Sequence, residues 1–460
     1  MTKHLVRFLL LFALASPSFA TTYYLDTAVG SSGNGLGWAT AWKNFSNVTG
    51  LAPGDTVLIS GGTYTVGASP IAGPNGTSLN PITYQAAPDI GHNGIVTLTC
   101  SDQCIAANAS VGNWTTWDGN VGGASHFVFN SSGSAAVFAE ASVGSILRYT
   151  NVNGGGLAYW DASGVEVDHV VFTPTAATVN SLGAGDGDAV LCPNGGAASY
   201  TTNKIHDSTF YLWYTTPGIG IDGLKWCAHI SVYNNRFIGV HNTAYTGGQH
   251  QDGTQSFDDY EAYYNNYYEN IQNYAIYQDP HSGAPTSNHW RIYNNVFNQW
   301  SAGGAAYAVA SGCENVSCTI SDLLVANNTV VNAGSCMGFS NVTLPANYST
   351  TEIVNNICYN SGPIVIDTHS GTITNSNNTN GSTTGLTFVN AQTNASGDWH
   401  LISSATAAIG QAINPSYLTS VYTTDKDGTT RTAPWDIGAY SFGGATGPLN
   451  PPSSLKAIFQ

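Results

Sequence analysis

Basic residues are the scarcest feature of this chain. Only 11 Lys and Arg stand against 27 Asp and Glu, and charged residues of either sign fill 8% of the 460 positions. So little positive charge leaves no footprint for nucleic-acid phosphates or an anionic membrane surface, and neither is expected as a partner. It also rules out ion pairs as the main cohesive force, which leaves hydrogen-bonded backbone and stacked side chains. Long apolar runs are missing too. Beyond the first twenty residues none approaches the ~18 needed to span a bilayer. No CxxC spacing occurs, so the eight Cys do not read as a zinc site. A helical period is absent between the apolar runs of the chain, which excludes alternating βαβ winding.

What is present begins with a leader. Lys3 and Arg7, the apolar run at 8–15 and Ser18-Phe19-Ala20 make residues 1–20 an export signal cleaved before Thr21. Its loss leaves 11 − 2 = 9 basic residues against 27 acidic ones, a charge of −18. The mature protein is expected outside the cytoplasm, extracellular or periplasmic, and monomeric. In that setting the Cys read as disulfides, and sequence neighbours pair naturally: Cys100 with Cys104, Cys192 with Cys227, Cys313 with Cys318, and Cys336 with Cys358.

The organising signal is a repeat. SVYNNRF at Ser231, EAYYNNYY at Glu261, WRIYNNVF at Trp290, LLVANNTVV at Leu323 and TEIVNNICY at Thr351 each run an apolar stretch into an Asn pair. The first Asn of each pair falls at 234, 265, 294, 327 and 355, at intervals of 31, 29, 33 and 28 residues. VEVDHVVF at Val165, KIHDSTFY at Lys204 and TITNSNN at Thr372 are weaker copies. Short β-prone runs recurring at this period predict a right-handed parallel β-helix, an all-β solenoid whose coils stack at about 4.8 Å. Asn at one turn of every coil predicts an amide ladder. The helix-like spacing of Trp38, Trp42, Phe45 and Val48 predicts a short amphipathic helix over residues 38–51, capping the first coil. A single domain over 21–442 and a Gly/Pro-rich tail or linker over 443–460 complete the organisation.

The stretches YYLDTAVGSSGNGLGWATAW and APGDTVLISGGTY, with the closing run TDKDGTTRTAPWDIGAYSF, resemble the pectate-lyase-like β-helix superfamily of exported bacterial proteins. The resemblance covers nearly all of residues 21–442. It implies the same fold, in a group holding lyases, hydrolases, epimerases and non-catalytic surface proteins, so chemistry has to come from particular residues.

Those residues gather before the Asn pairs. Asp222 lies 12 residues before Asn234, Asp252 lies 13 before Asn265, and Asp279 and His281 lie 15 and 13 before Asn294. With Asp188 they predict a column of carboxylates along one edge of the coils. Like charges so close either raise one another's pKa or share a cation, and Ca²⁺ takes oxygen ligands at such spacing, with Asp222, Asp252 and Asp279 as its candidate ligands. His250 in HQDGTQ and His281 in YQDPH offer a base beside Asp252 and Asp279, and Tyr277 offers a proton donor. The Asp279-Pro280-His281 run is similar to the DPH element of mannuronan C5-epimerases, which implies action of Asp279 and His281 at C5–H. Lys225, Arg291, Trp290 and Tyr274 are candidate substrate contacts. Asp also caps turns through neighbouring amides, and most Tyr of the 260–277 run fit the coil interior equally well.

The function expected from these residues is cleavage of a uronate-containing polysaccharide by β-elimination. C5 epimerisation and inverting hydrolysis are the enzymatic alternatives, and a non-catalytic glycan-binding or matrix protein is the other.

Overall fold

The computed structural model describes residues 20–443, except 68, 134, 176–186, 193–202, 215–218, 240–250, 281–282, 300–306, 314–316, 340–345, 363–364, 367–368, 382–383, 393–396 and 414–417. The expected leader, apart from Ala20, and the expected tail, apart from Gly443, lie outside the described residues.

Alternation of apolar and polar residues makes short strands, and each pairs in parallel with the strand one coil further on. On a first face Ile230 pairs with Glu261 and Glu261 with Trp290. On a second face Arg236 pairs with Tyr267 and Tyr267 with Val296. On a third face Tyr274 pairs with Tyr307 and Tyr307 with Ser335. The first two faces form one 23-stranded sheet, because strands such as Glu166–Thr173 bend from one to the other, and the third is an 11-stranded sheet. The expected parallel β-helix is therefore what the chain forms. No described helix is long and apolar enough to cross a membrane.

The core lies inside the coils. The second face sends one aromatic inward from each successive coil: Phe210 stacks on Phe237 at 5.1 Å, Phe237 on Tyr268 at 4.8 Å, and Tyr268 on Phe297 at 5.0 Å. These centroid spacings match the coil repeat, so one period sets both backbone pairing and ring stacking.

The Asn pair turns the chain from the first face to the second, and its members do different work. The first Asn takes the left-handed conformation, with φ of 57° at Asn234 and Asn265, 55° at Asn294, 51° at Asn327 and 60° at Asn355. Asn tolerates that region better than other side-chain-bearing residues. The second Asn builds the expected ladder. Asn235 Nδ2 donates to Asn266 Oδ1 at 3.1 Å, Asn266 to Asn295 at 3.1 Å, Asn295 to Asn328 at 3.0 Å and Asn328 to Asn356 at 3.0 Å. Each Oδ1 also accepts the backbone N–H of the preceding coil's second Asn, as Asn295 Oδ1 does from Asn266 at 2.9 Å.

The helix expected over residues 38–51 does not form. Two 3₁₀ turns, Trp38–Thr40 and Phe45–Asn47, take its place. Between them Trp42 behaves as a strand residue: its N–H donates to Tyr24 O at 2.9 Å, its carbonyl accepts from Asp26 N at 2.8 Å, and its ring stacks on Tyr23 at 4.8 Å. The open edge of the first coil is covered by this bridge, and pairing of an edge backbone outweighs a four-turn propensity that includes β-branched Val48 and Gly50.

The four expected disulfides are present: Cys100–Cys104, Cys192–Cys227, Cys313–Cys318 and Cys336–Cys358.

The closing run folds back over the last coils, and the first Asn of each of the last three pairs receives it. Asn294 donates to Thr424 O at 2.8 Å and accepts from Arg431 at 2.8 Å. Asn327 donates to Asp436 O at 2.9 Å and accepts from the Tyr422 hydroxyl at 2.7 Å. Asn355 both donates to and accepts from the backbone of Ile413 at 2.9 Å. The corner side chains point outward, so an identical motif on successive coils makes a row of docking points for one extended segment.

Candidate functional site

The acid column lies on the third face. Asp188 in strand Gly187–Leu191 pairs in register with Asp222 in strand Ile219–Lys225. Pairing of Leu224 with Thr254 and Lys225 with Gln255 places Asp252 opposite Asp222 on the following coil. Side chains two residues apart leave a strand on one side, so a common register makes a common face. Asp222 Oδ1 accepts the Asp252 N–H at 2.9 Å, and Asp252 Oδ1 accepts the Tyr274 N–H at 2.9 Å. Each carboxylate therefore caps the coil after its own, and Asp188, Asp222 and Asp252 are all buried.

Lys225 supplies positive charge at this column. Its Nζ stands 3.5 Å from Asp222 Oδ2 and 3.9 Å from Asp188 Oδ1, and 5.4 Å from the Trp226 ring. The ammonium faces two of the acids whose charge a Ca²⁺ would otherwise balance. Asp279, expected to complete a Ca²⁺ shell with Asp222 and Asp252, is elsewhere: the register partner of Asp252 is Tyr274, and Asp279 follows the far end of strand Tyr274–Gln278. This donor set does not fit Ca²⁺.

Counting back from the Asn pairs misplaced Asp279 because the connections from third to first face differ in length. Ser256 and Gln278 pair in register, as do Glu261 and Trp290. Five positions separate Ser256 from Glu261 (261 − 256), but twelve separate Gln278 from Trp290 (290 − 278).

Tyr277 and Asp279 form a second group on the same face. Lys225, Gln255 and Tyr277 share a register across three coils. Gln255 Nε2 donates to Asp279 Oδ2 at 2.9 Å. Burial, with the charge and hydrogen bonding of Asp279 added, pushes the Tyr277 phenol far above its ordinary value, so it stays protonated. Tyr274 packs its ring 4.4 Å from that of Tyr277. His250 and His281, the two expected bases, lie outside the described residues.

Two expected substrate contacts are not part of this face. Trp290 is fully buried in the coil interior, its indole N–H donating to Asp258 O at 2.8 Å, so it lines no groove. Its position between inward-facing residues of the first face is the reason. Arg291, also on the first face, makes a two-pronged pair with Asp322 at 2.8 Å. The Tyr run mostly serves the scaffold. Tyr263 and Tyr268 fill the core, while Tyr264 stacks at 4.9 Å on both Tyr233 and Tyr293. Rings stacked face to face present only their edges outward, which removes the face a sugar ring would use.

A cluster that the sequence reading passed over sits at the corner between the first two faces. Asp168 and His206 pair in register, with Glu166 two residues before Asp168. His206 Nδ1 lies 2.8 Å from Asp207 and 3.3 Å from Asp168, and its Nε2 lies 3.6 Å from Glu166. His169 is hydrogen-bonded to Asp168. Burial would lower the His206 pKa, but hydrogen bonds to Asp207 and Glu166 and the charge of Asp168 outweigh it and push it up to about 9. The hydrogen bond to His206 holds Glu166 below the usual carboxylate range. Among the described residues, Glu166, Asp168 and His206, and also Asp168, His169 and Asp207, each offer three donor atoms close enough for one metal ion. The signal was in the repeat. His169 and Asp207, both at φ of 50°, stand where later coils carry the first Asn of the pair, and Asp168 and His206 stand one position before it, in register with Tyr233.

The chain is a parallel β-helix. No protein-family description matches its sequence, and no curated protein is similar to it. Solved structures resemble it at low identity. The pectate lyase Pel9A shares 15% identity over 93% of this chain and 97% of its own, with a TM-score of 0.43. A mannuronic acid specific polysaccharide family 6 lyase from human gut microbiota shares 11% over 75% and 82%, also at 0.43. The surface adhesin PfbA of Streptococcus pneumoniae shares 11% over 72% and 84%, again at 0.43. Catalytic and adhesive proteins both stand among these, and the strand pairing of the chain itself is what establishes its fold.

Proposed function

We propose that the protein acts on a uronate-containing polysaccharide by β-elimination at the third face. The observation carrying this reading is the shared register of Lys225, Gln255 and Tyr277 beside the acid column. A uronate carboxylate meeting the Lys225 ammonium loses charge, which acidifies C5–H. A base, His281 or His250 in this proposal, takes that proton. The electron pair forms the C4–C5 double bond as the C4–O bond breaks, and the leaving oxygen gains a proton. Tyr277, two coils from Lys225 or roughly 10 Å along the stack, suits the last step, because a phenol held protonated can donate and cannot act as a base. Asp279, hydrogen-bonded to Gln255, orients that phenol.

Incubation with polygalacturonate, alginate and glycosaminoglycans tests the reading through the ultraviolet absorbance of the unsaturated uronate product. Absorbance should appear with at least one polymer. Lys225→Met should lower the rate by about 10²–10³-fold, and Tyr277→Phe by about 10²–10⁴-fold. New reducing ends without absorbance would transfer the site to hydrolysis, and C5 inversion without cleavage to epimerisation.

One observation favours a non-catalytic role. Asp222 and Asp252 are buried and each satisfies a backbone N–H of the next coil, which is what a scaffold requires. Saturable polymer binding without turnover, unchanged by Tyr277→Phe, would decide for that reading.

A further inference from the structure

We infer that the corner formed by Glu166, Asp168 and His206 is a divalent-cation site with mixed nitrogen and oxygen donors, separate from the acid column. Glu166 and Asp168 alternate along strand Glu166–Thr173, so both side chains leave its outer face. The adjoining strand Asn203–His206 sets Lys204 opposite Glu166 and His206 opposite Asp168. One donor atom from each of Glu166, Asp168 and His206 lies within 4.8 Å of the other two. Ligands about 2.0–2.2 Å from a first-row metal need that convergence. A second convergent set, Asp168 with His169 and Asp207, shares Asp168 and adds an imidazole from the other side.

The nearby permanent cations stay at the rim of this cluster. Arg148 is the register neighbour of Asp168 on the preceding coil, yet its guanidinium turns to Asp118 at 2.7 Å. Lys204 comes no nearer than 3.9 Å to Glu166, with its side chain 43% exposed. The centre is held by the His206 imidazole, whose proton a bound ion would displace, because imidazoles ligate metals when neutral. The donors stand on paired strands and not on loops, which preorganises them. Glu166 is 30% exposed at its side chain, so an ion has a route in and room to keep waters. Carboxylates with imidazole suit Zn²⁺ or Mn²⁺, whereas Ca²⁺ takes oxygen ligands.

The test uses the full chain, stripped with a chelator and titrated calorimetrically with Zn²⁺, Mn²⁺ and Ca²⁺. One saturable site is expected for Zn²⁺ or Mn²⁺, with Ca²⁺ at least about tenfold weaker. Asp168→Asn and His206→Gln should each weaken binding by more than about tenfold. Asp222→Asn, on the other sheet, should leave it unchanged. Electron paramagnetic resonance of bound Mn²⁺ should show coupling to an imidazole nitrogen that His206→Gln abolishes. Circular dichroism of each variant, with Glu166→Gln as a further one, separates ligand loss from misfolding. No saturable binding at about millimolar metal, or binding that survives both Asp168→Asn and His206→Gln in folded protein, would overturn the assignment. Because the readout is binding, loss of lyase activity alone leaves this result untouched, and the converse holds.

Discussion

At the scale of single residues, the Asn-Asn pair shows how one residue type meets two unlike demands. The first Asn tolerates a left-handed corner, and the second spends both ends of its amide on adjacent coils. Asn295 accepts from Asn266 N and Nδ2 at 2.9 and 3.1 Å, and donates to Tyr263 O and Asn328 Oδ1 at 2.8 and 3.0 Å. Removing that amide leaves buried groups on both sides without partners. Asn295→Ala is expected to cost on the order of 3 kcal/mol, read as a fall in the denaturant midpoint. Asn234→Gly should shift stability by less than about 0.5 kcal/mol. That corner is exposed, Gly accepts its φ of 57°, and only a 3.3 Å bond to Asp207 is lost. Equal effects from the two substitutions would refute the division. The repeat made the pair legible in the sequence, but two identical letters could not tell which member faces inward.

At the scale of elements, the first coil and the last coils are secured by different means. The N-terminal edge is covered by a bridge through Trp42, and the helical spacing misled because Trp42 packs from a bridged, strand-like position and Phe45 from a 3₁₀ turn. The last coils are flanked by the closing run, fastened by His400. Its Nδ1 lies 2.5 Å from Asp398 and its Nε2 2.6 Å from Asp427, while the Tyr440 ring covers it at 3.9 Å. Both nitrogens face carboxylates, so the doubly protonated imidazolium satisfies the geometry best. Burial opposes that charge, but the hydrogen bonds His400 donates to Asp427 and Asp398 outweigh it and raise the pKa above the ordinary 6.5. A base whose pKa is higher when folded adds stability that is complete below the unfolded value and disappears as pH rises through the folded one. Thermal melts of the wild type minus those of His400→Gln should therefore show a positive difference at pH 5–6, shrinking above neutrality. Buried Glu261 and Asp258, whose pKa values burial also raises, weaken the fold in the same direction, so the difference between the two proteins is the quantity that reports His400. A difference that is flat with pH would show that His400 acts through packing alone.

Across the whole molecule, a solenoid is nearly one-dimensional: each coil depends on its neighbours, and damage stays local. That is why the fold was legible, since the Asn period declares itself on every coil, and why the site was legible only in part. Asp222 and Asp252 keep a common spacing to the Asn pairs because the connections of their coils are similar, five positions from Lys225 to Ile230 and six from Gln255 to Glu261, whereas the longer run from Gln278 to Trp290 moved Asp279 out of the column. The Glu166–His206 corner escaped notice because its residues stand where later coils carry Ser231 and Tyr233, with no Asn pair beside them to mark the phase. Local dependence also gives the Cys192–Cys227 bridge a specific role. It joins the residue after Leu191 to the second residue after Lys225, and so staples the coil of Asp188 to the coil of Asp222 and Lys225. Closing a 35-residue separation is worth about 3–4 kcal/mol in the chain-entropy account. In a solenoid that loss should not spread evenly. Cys192→Ala with Cys227→Ala should raise amide exchange in strands Gly187–Leu191 and Ile219–Lys225, while the Phe237–Tyr268–Phe297 stack keeps its protection. Uniform loss of protection would show that the coils unfold as one cooperative unit. Exchange confined to the two stapled strands, with a matching fall in polysaccharide turnover, would tie the disulfide to the register of Lys225 against the acid column.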